Sequence, residues 1–256
     1  MLRKGLLLIL ALLVSALAVV GIDGLRRERA IERLEKESMS LADWHYRFSG
    51  VKIAMYPPPR GTRRGFLRRM ISSPRQVHMY ARRDQQQFTL DRTFMRDLAL
   101  LEIEDLMIID CRGLSPDVVS GLAKVSSIRV LLLYNCDITN EGMNSLWSQL
   151  PNLEVAYLSS GGLGDEALQN VEAGHKLKKL YLPGPGFTNQ AIEHLAKLPH
   201  LEELNLNEFG GTEDSVPLLA AMPSLRIVSL LHMGTAAAFR DKLQVLNPGI
   251  KVRLPP

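Results

Sequence analysis

The sequence predicts an α/β fold, a solenoid of about six stacked coils in which each coil supplies one strand and one returning helix. The first observation is an apolar motif that recurs six times within residues 103–233, at intervals of 24 or 25 residues. The second is that each of the first five copies runs on into a polar turn and a short helical pattern. The third is an ordinary globular composition, 46% hydrophobic and 23% charged, which is sufficient for a core.

The chain begins with an export or anchoring element. Arg3 and Lys4 precede an uncharged apolar run at 5–22, which is just long enough to cross a bilayer as a helix. We expect residues 1–23 to form a transmembrane signal-anchor, and a signal sequence cleaved after Ala18 is the alternative. Both interpretations predict that the repeats are exported, although more basic residues follow the run than precede it.

Two further segments precede the repeats. Residues 25–37 alternate in charge sign at helical spacing, which predicts a solvated juxtamembrane helix over 24–40, with a coiled-coil partner site as the alternative. Residues 41–101 predict a small, basic α+β cap region, with a strand or hairpin in 41–55. Charge divides the chain accordingly: residues 1–101 hold 19 Lys+Arg and 9 Asp+Glu (+10), whereas 102–256 hold 12 and 18 (−6).

Within the cap region, residues 60–83 carry eight arginines and no acidic residue. Three interpretations stay open for this segment. It forms the basic outer face of the cap, it contacts anionic lipid headgroups through Arg64, Arg68 and Arg69, or it binds nucleic acid. The nucleic-acid interpretation lacks the aromatic or motif context that such sites usually have. The lipid interpretation predicts an alternative function, that of a membrane-surface adaptor.

Six copies of the pattern L-x-x-L-x-L define residues 102–233. They are IEDLMI (103–108), IRVLLL (128–133), LEVAYL (153–158), LKKLYL (177–182), LEELNL (201–206) and LRIVSL (225–230). Residues 234–256 predict a C-terminal cap, with a helix from about Ala236 to Leu246 and an edge strand Ile250–Leu254. Pro217 lies where the fifth helix is expected, so that helix is predicted to be short or to begin there.

The repeats resemble the leucine-rich repeat of the cysteine-containing, ribonuclease-inhibitor-like type. The resemblance implies a right-handed solenoid with a parallel concave sheet and convex helices. GFLRRMI (65–71) and the ending RDKLQVLNPGIKV (240–252) also resemble a bacterial kind with a single N-terminal span. That kind has no defined activity, and the resemblance implies a membrane-tethered interaction domain.

The concave face predicts a partner site. Positions three, five and seven of each copy point out of the sheet. In copies one to four they form an apolar, tyrosine-rich area, which favours binding of a protein or peptide. The alternative is that residues 41–95 cover this face. The residues predicted to bind the partner are Met107, Ile109, Leu132, Tyr134, Val155, Tyr157 and Tyr181.

The sequence offers little that indicates catalysis. Cys111 and Cys136 fall at the Asn/Cys position of the repeat and are predicted to be buried filler, with a disulfide between them left open. The six histidines lack metal-ligand spacing, and the glycine-rich PGPG turn at 183–186 is not followed by Gly-Lys-Ser/Thr. We therefore expect no enzyme activity, metal, cofactor, small-molecule substrate or nucleic-acid partner.

Overall fold

The structure is a computed structural model. It describes residues 22–27, 29–30, 33, 76–80, 88–89, 96, 98–100, 102–112, 114–122 and 124–254. Among these residues, no helix is long and apolar enough to cross a membrane. The predicted span up to residue 21, the hairpin in 41–55 and the three arginines of the lipid interpretation lie outside the described residues.

Ten strands are present in the described part of the chain. Their bounds are β1 Gln76–Tyr80, β2 Phe88–Thr89, β3 Asp105–Ile109, β4 Cys111–Arg112, β5 Val130–Tyr134, β6 Val155–Ser159, β7 Lys179–Pro183, β8 Glu203–Asn207, β9 Ile227–Leu231 and β10 Lys251–Arg253. Eight of them form one parallel sheet in the order β1-β3-β5-β6-β7-β8-β9-β10. β2 and β4 form a separate parallel pair. We call each copy of the motif, together with the chain up to the next copy, a unit. The predicted α/β class with a parallel sheet is confirmed.

Helical segments return the chain between strands. They are α1 Pro116–Leu122, α2 Asn140–Gln149, α3 Asn189–Leu195, α4 Val216–Ala221 and α5 Ala236–Leu246, with 3₁₀ segments at Asp165–Leu168, Val171–Ala173 and Glu213–Ser215. The last helix has the bounds that the sequence predicts. Pro217 lies in the first turn of α4, where its missing N–H costs nothing.

The third unit differs from its neighbours because it returns through two 3₁₀ segments. In units two and four, Thr139 and Thr188 accept a hydrogen bond from a backbone N–H of the first helical turn. The third unit has Gly164 at the equivalent position, which has no side chain to cap the segment. The short helical pattern predicted here forms as two 3₁₀ segments rather than as an α-helix.

The core lies between the sheet and the returning segments. Positions one, four and six of all six units are buried, from Ile103 in the first unit to Leu230 in the last. Trp147 of α2 is fully buried, and its Nε1–H donates to the carbonyl of Ala167 in the next unit at 2.8 Å. The motif spacing alone thus identifies the residues that fill the interior.

A left-handed residue ends most of the repeat strands. The sites with φ of 50° to 55° are Asp110, Asn135, Glu208 and His232. Gly184 holds the same position in the fourth unit, with φ of 117°. In units one, two, four and five, the backbone N–H at this position donates to the next strand, as Asn135 does to Ser159 at 2.7 Å. The chain therefore turns out of the sheet in the same way in five of the six units.

The opposite ends of the strands carry a row of charges that alternate in sign. Position two holds Glu104, Arg129, Glu154, Lys178, Glu202 and Arg226. Glu154 pairs with Arg129 at 2.6 Å and with Lys178 at 2.9 Å. Hydrogen bonds from Lys178, which has the larger effect, and from Arg129 hold the pKa of the Glu154 carboxyl below its ordinary value. The bond to Glu154 in turn raises the pKa of Arg129. The alternation places opposite charges on neighbouring units.

β10 closes the sheet at its C-terminal end. It is one residue shorter at each end than the predicted strand Ile250–Leu254. Arg253 reaches back over β9 to Glu203 at 2.8 Å, and Lys179 contacts the same carboxylate at 3.4 Å. Glu203 therefore links three strands.

Candidate functional site

The candidate site lies on the outer face of the sheet, which we define as the face that carries positions three, five and seven of the units. The register places one row across this face at position five: Met107, Leu132, Tyr157, Tyr181, Asn205 and Ser229. A second row at position seven brings Ile109 beside Tyr134. Because neighbouring strands lie about 4.8 Å apart, each residue of a row lies beside the next one.

The predicted binding residues are unequally exposed. Tyr134 is 43% exposed, whereas Ile109, Val155, Tyr157 and Tyr181 are half-buried.

Met107 and Leu132 are only 7% and 6% exposed, so they contribute little surface to a partner. Leu132 is flanked on both sides by residues of its row, Met107 and Tyr157. This packing corrects the expectation that all seven residues present accessible surface. The accessible part of the patch centres on Tyr134.

Two tyrosines and two asparagines continue the face toward the C-terminus. The rings of Tyr157 and Tyr181 lie 6.1 Å apart at an angle of 41°. Asn207 donates from Nδ2 to the Tyr181 hydroxyl at 3.5 Å. Burial raises the pKa of Tyr181, the bond from Asn207 opposes that effect, and the carboxylate of Glu208 adds to it.

The asparagines are functional candidates that the motif-based prediction passed over. The sequence places Asn205 and Asn207 at positions five and seven, but the predicted partner-binding residues are only apolar residues and tyrosines. Their Oδ1 atoms are both buried and have no hydrogen-bond partner in the described part of the chain. The signal in the sequence is an amide at i and i+2 of one strand, since both side chains then share the outer face.

Both cysteines are buried and free, so the disulfide that the sequence left open is not formed. The thiol of Cys136 lies 3.3 Å from the carbonyl of Tyr134, and burial raises its pKa to about 11. A thiol that stays protonated at neutral pH is a poor nucleophile. The contacts of Cys136 therefore suit a packing role.

The remaining polar groups of the repeats form no metal or phosphate site among the described residues. No group of His, Cys, Asp and Glu there has the arrangement to hold a metal ion. In the PGPG turn, a Cβ on Gly186 would meet the carbonyl oxygen of Leu163 at 2.5 Å. That glycine is required for close packing between units three and four. His194 is half-buried, and its Nε2 is buried without a hydrogen-bond partner in the described part of the chain.

Comparison of the chain with models of protein families and with curated proteins found no match.

Proposed function

We propose that this chain is a membrane-anchored scaffold that binds a protein or peptide on the outer face of a leucine-rich-repeat solenoid. The solenoid is supported by the sequential parallel sheet and by the burial of positions one, four and six in every unit. The apolar run at 5–22 supports a single-pass anchor with the repeat domain outside the cytoplasm.

The observation that carries the proposal is the exposure of Tyr134 among half-buried apolar and aromatic neighbours. Tyr134 is 43% exposed and lies beside Ile109 in the register, next to the row that contains Tyr157. Exposed apolar patches on folded proteins mark interaction sites, and tyrosine is enriched among residues that dominate binding energy. The face offers a rigid aromatic anchor on a strand, which suits recognition of a protein or peptide surface.

The test is the triple substitution Tyr134→Ser, Tyr157→Ser and Tyr181→Ser in the full-length anchored chain. Losing a binding anchor costs about 2 kcal/mol, which is a roughly 30-fold loss of affinity. We expect proteins captured by proximity labelling with the wild type to be lost with the triple variant. The matched control is Val245→Ser, because Val245 is an exposed apolar residue on α5, outside the patch.

Circular dichroism and thermal unfolding separate the outcomes. A triple variant that folds and loses its partners, while the control retains them, supports the proposal. A triple variant that unfolds shows that the tyrosines belong to the core. A folded triple variant with an unchanged set of partners shows that the outer face does not bind them, and either result refutes the proposal.

A further inference from the structure

Strand β8 leaves two hydrogen-bond acceptors without donors. Asn205 and Asn207 alternate with the buried core residues Leu204 and Leu206, so both amides belong to the outer face. The Oδ1 atoms of both are buried and unpartnered among the described residues. An unsatisfied buried acceptor destabilises a folded chain, so two of them on one strand require an explanation. A ligand that supplies donors would satisfy both.

The surroundings of these oxygens favour a positively charged donor. Glu208 follows Asn207 directly, is exposed, and forms no ion pair in the described part of the chain. Two cations of the outer face are Lys179, at position three of β7, and Arg253, the last residue of β10. Both form ion pairs with Glu203 at the other end of β8. The donor that would complete this site is therefore not supplied by those two side chains.

The whole edge at the carboxyl ends of the strands is acidic. In each of the six units, a stretch of chain leads from the end of the strand to the first turn of the following segment. Across these six stretches, Arg112 is the one Lys or Arg in the sequence. The acidic residues in the same stretches include Asp110, Asp137, Glu141, Asp165, Glu166, Glu208, Glu213 and Asp214. Clustered charge of one sign raises the local concentration of oppositely charged ligands and their association rate. A cationic partner would be guided to this edge.

Aromatic faces lie next to the acceptors. Tyr181 pairs with Asn205 in the register and accepts a hydrogen bond from Asn207. Its ring packs against Tyr157 at 6.1 Å. A cation over a tyrosine face is attracted by the ring, and more strongly when the pair is desolvated. The same place therefore offers an aromatic surface, neutral acceptors and a carboxylate.

We propose that Tyr181, Asn205, Asn207 and Glu208 form a subsite for the guanidinium group of an arginine in a peptide segment of a partner protein. An apolar residue next to that arginine packs on Tyr134. Guanidinium fits better than ammonium because it stacks on an aromatic ring while its fork of five N–H donors reaches several acceptors. This inference rests on the proposed function, because it identifies the chemistry of a partner on the same face.

The test uses the full chain in detergent micelles and a random linear peptide library displayed on phage. We expect the selected peptides to carry an arginine next to an apolar or aromatic residue. The best peptide is then compared with its citrulline counterpart, which has nearly the same shape but no charge. Because a hydrogen bond to a charged group is worth about 1.5–3 kcal/mol, citrulline should bind roughly 10- to 100-fold more weakly.

Two variants of the subsite and one control complete the test. Glu208→Gln and Asn207→Leu should each reduce the arginine-to-citrulline affinity ratio to below about threefold, since they remove one partner of the guanidinium. Glu141→Gln removes an exposed carboxylate from the same edge in unit two and should leave the ratio unchanged.

Each contrary outcome overturns a defined part of the argument. One contrary outcome is a set of peptides that lose binding on Tyr134→Ser but show no arginine preference or are acidic. That outcome refutes the subsite and leaves the proposed function standing. Peptide binding that is insensitive to the tyrosine substitutions refutes the proposed function. A failure to select any peptide refutes the subsite. Peptides selected only after the arginines of 60–83 are changed to glutamine show that the chain fills its own site, which also overturns the partner proposal.

Discussion

Trp147 is the residue whose replacement tests the packing between units most directly. Its indole is fully buried, and its N–H donates to the Ala167 carbonyl of the next unit at 2.8 Å. The change Trp147→Phe removes three ring atoms, worth roughly 2 kcal/mol at about 0.8 kcal/mol per buried carbon group. It also leaves a buried carbonyl without its donor, which costs about 1–3 kcal/mol. The expected loss in free energy of unfolding is therefore about 3–5 kcal/mol.

Urea denaturation of the full chain in mild detergent, followed by far-ultraviolet circular dichroism, measures this loss. Val245→Ala is the control, because Val245 is 81% exposed and its change should stay within about 0.5 kcal/mol. Placing 3-benzothienylalanine at position 147 keeps the bicyclic shape but removes the N–H, so it isolates the hydrogen bond. If Trp147→Phe lowers the free energy of unfolding by less than about 1 kcal/mol, the reasoning is wrong. Neither the cavity nor the carbonyl left without a donor would then have its usual cost.

Two further predictions concern the loops and a corner thiol. Gly186→Ala should destabilise the protein by about 1–3 kcal/mol in the same assay, because the new Cβ would meet the Leu163 carbonyl oxygen at 2.5 Å. Gly161→Ala, with nothing within 4 Å, should change stability little, and equal effects would contradict the packing argument. For Cys136, the native pKa of about 11 lies above the ordinary 9.0, so the unfolded chain ionises first and stability falls as pH rises from about 9 to 11. That fall in stability, at most about 2–3 kcal/mol, should be absent from Cys136→Ala. If the wild type and Cys136→Ala showed the same pH dependence of stability, this prediction would be wrong.

The motif predicts the strands well because each core position is set by the same physical demand in every unit. A side chain at position one, four or six must fill the interior, and only apolar residues do so without an unpaired polar group. The same reasoning locates the last helix, because its apolar spacing and the Asn-Pro-Gly turn after it are both local signals. Periodicity therefore specifies what faces inward.

The outward side is less predictable because burial there depends on neighbours rather than on position. Leu132 and Tyr134 occupy equivalent outward sites of one strand, yet Leu132 is buried within its row while Tyr134 is exposed. The motif also could not indicate that Gln76–Tyr80 joins the sheet ahead of the first unit, since this strand carries no copy of the pattern. Such features depend on contacts between strands that are distant in sequence.

The alternating charges at position two show how pairing between units is made specific. The backbone alone does not fix it, because the carbonyl of every position-two residue from Glu104 to Glu202 accepts N–H groups from the next unit in the same way. Core leucines are interchangeable for the same reason. If a unit were displaced by one place in the stack, Glu154 would lie beside Glu202 or Glu104, and Arg129 beside Lys178. Each exposed pair adds little stability by itself, but the like charges at the new contact would penalise the displaced arrangement. The row therefore contributes mainly to the order of units, and through that order it brings the tyrosines and asparagines of the outer face together.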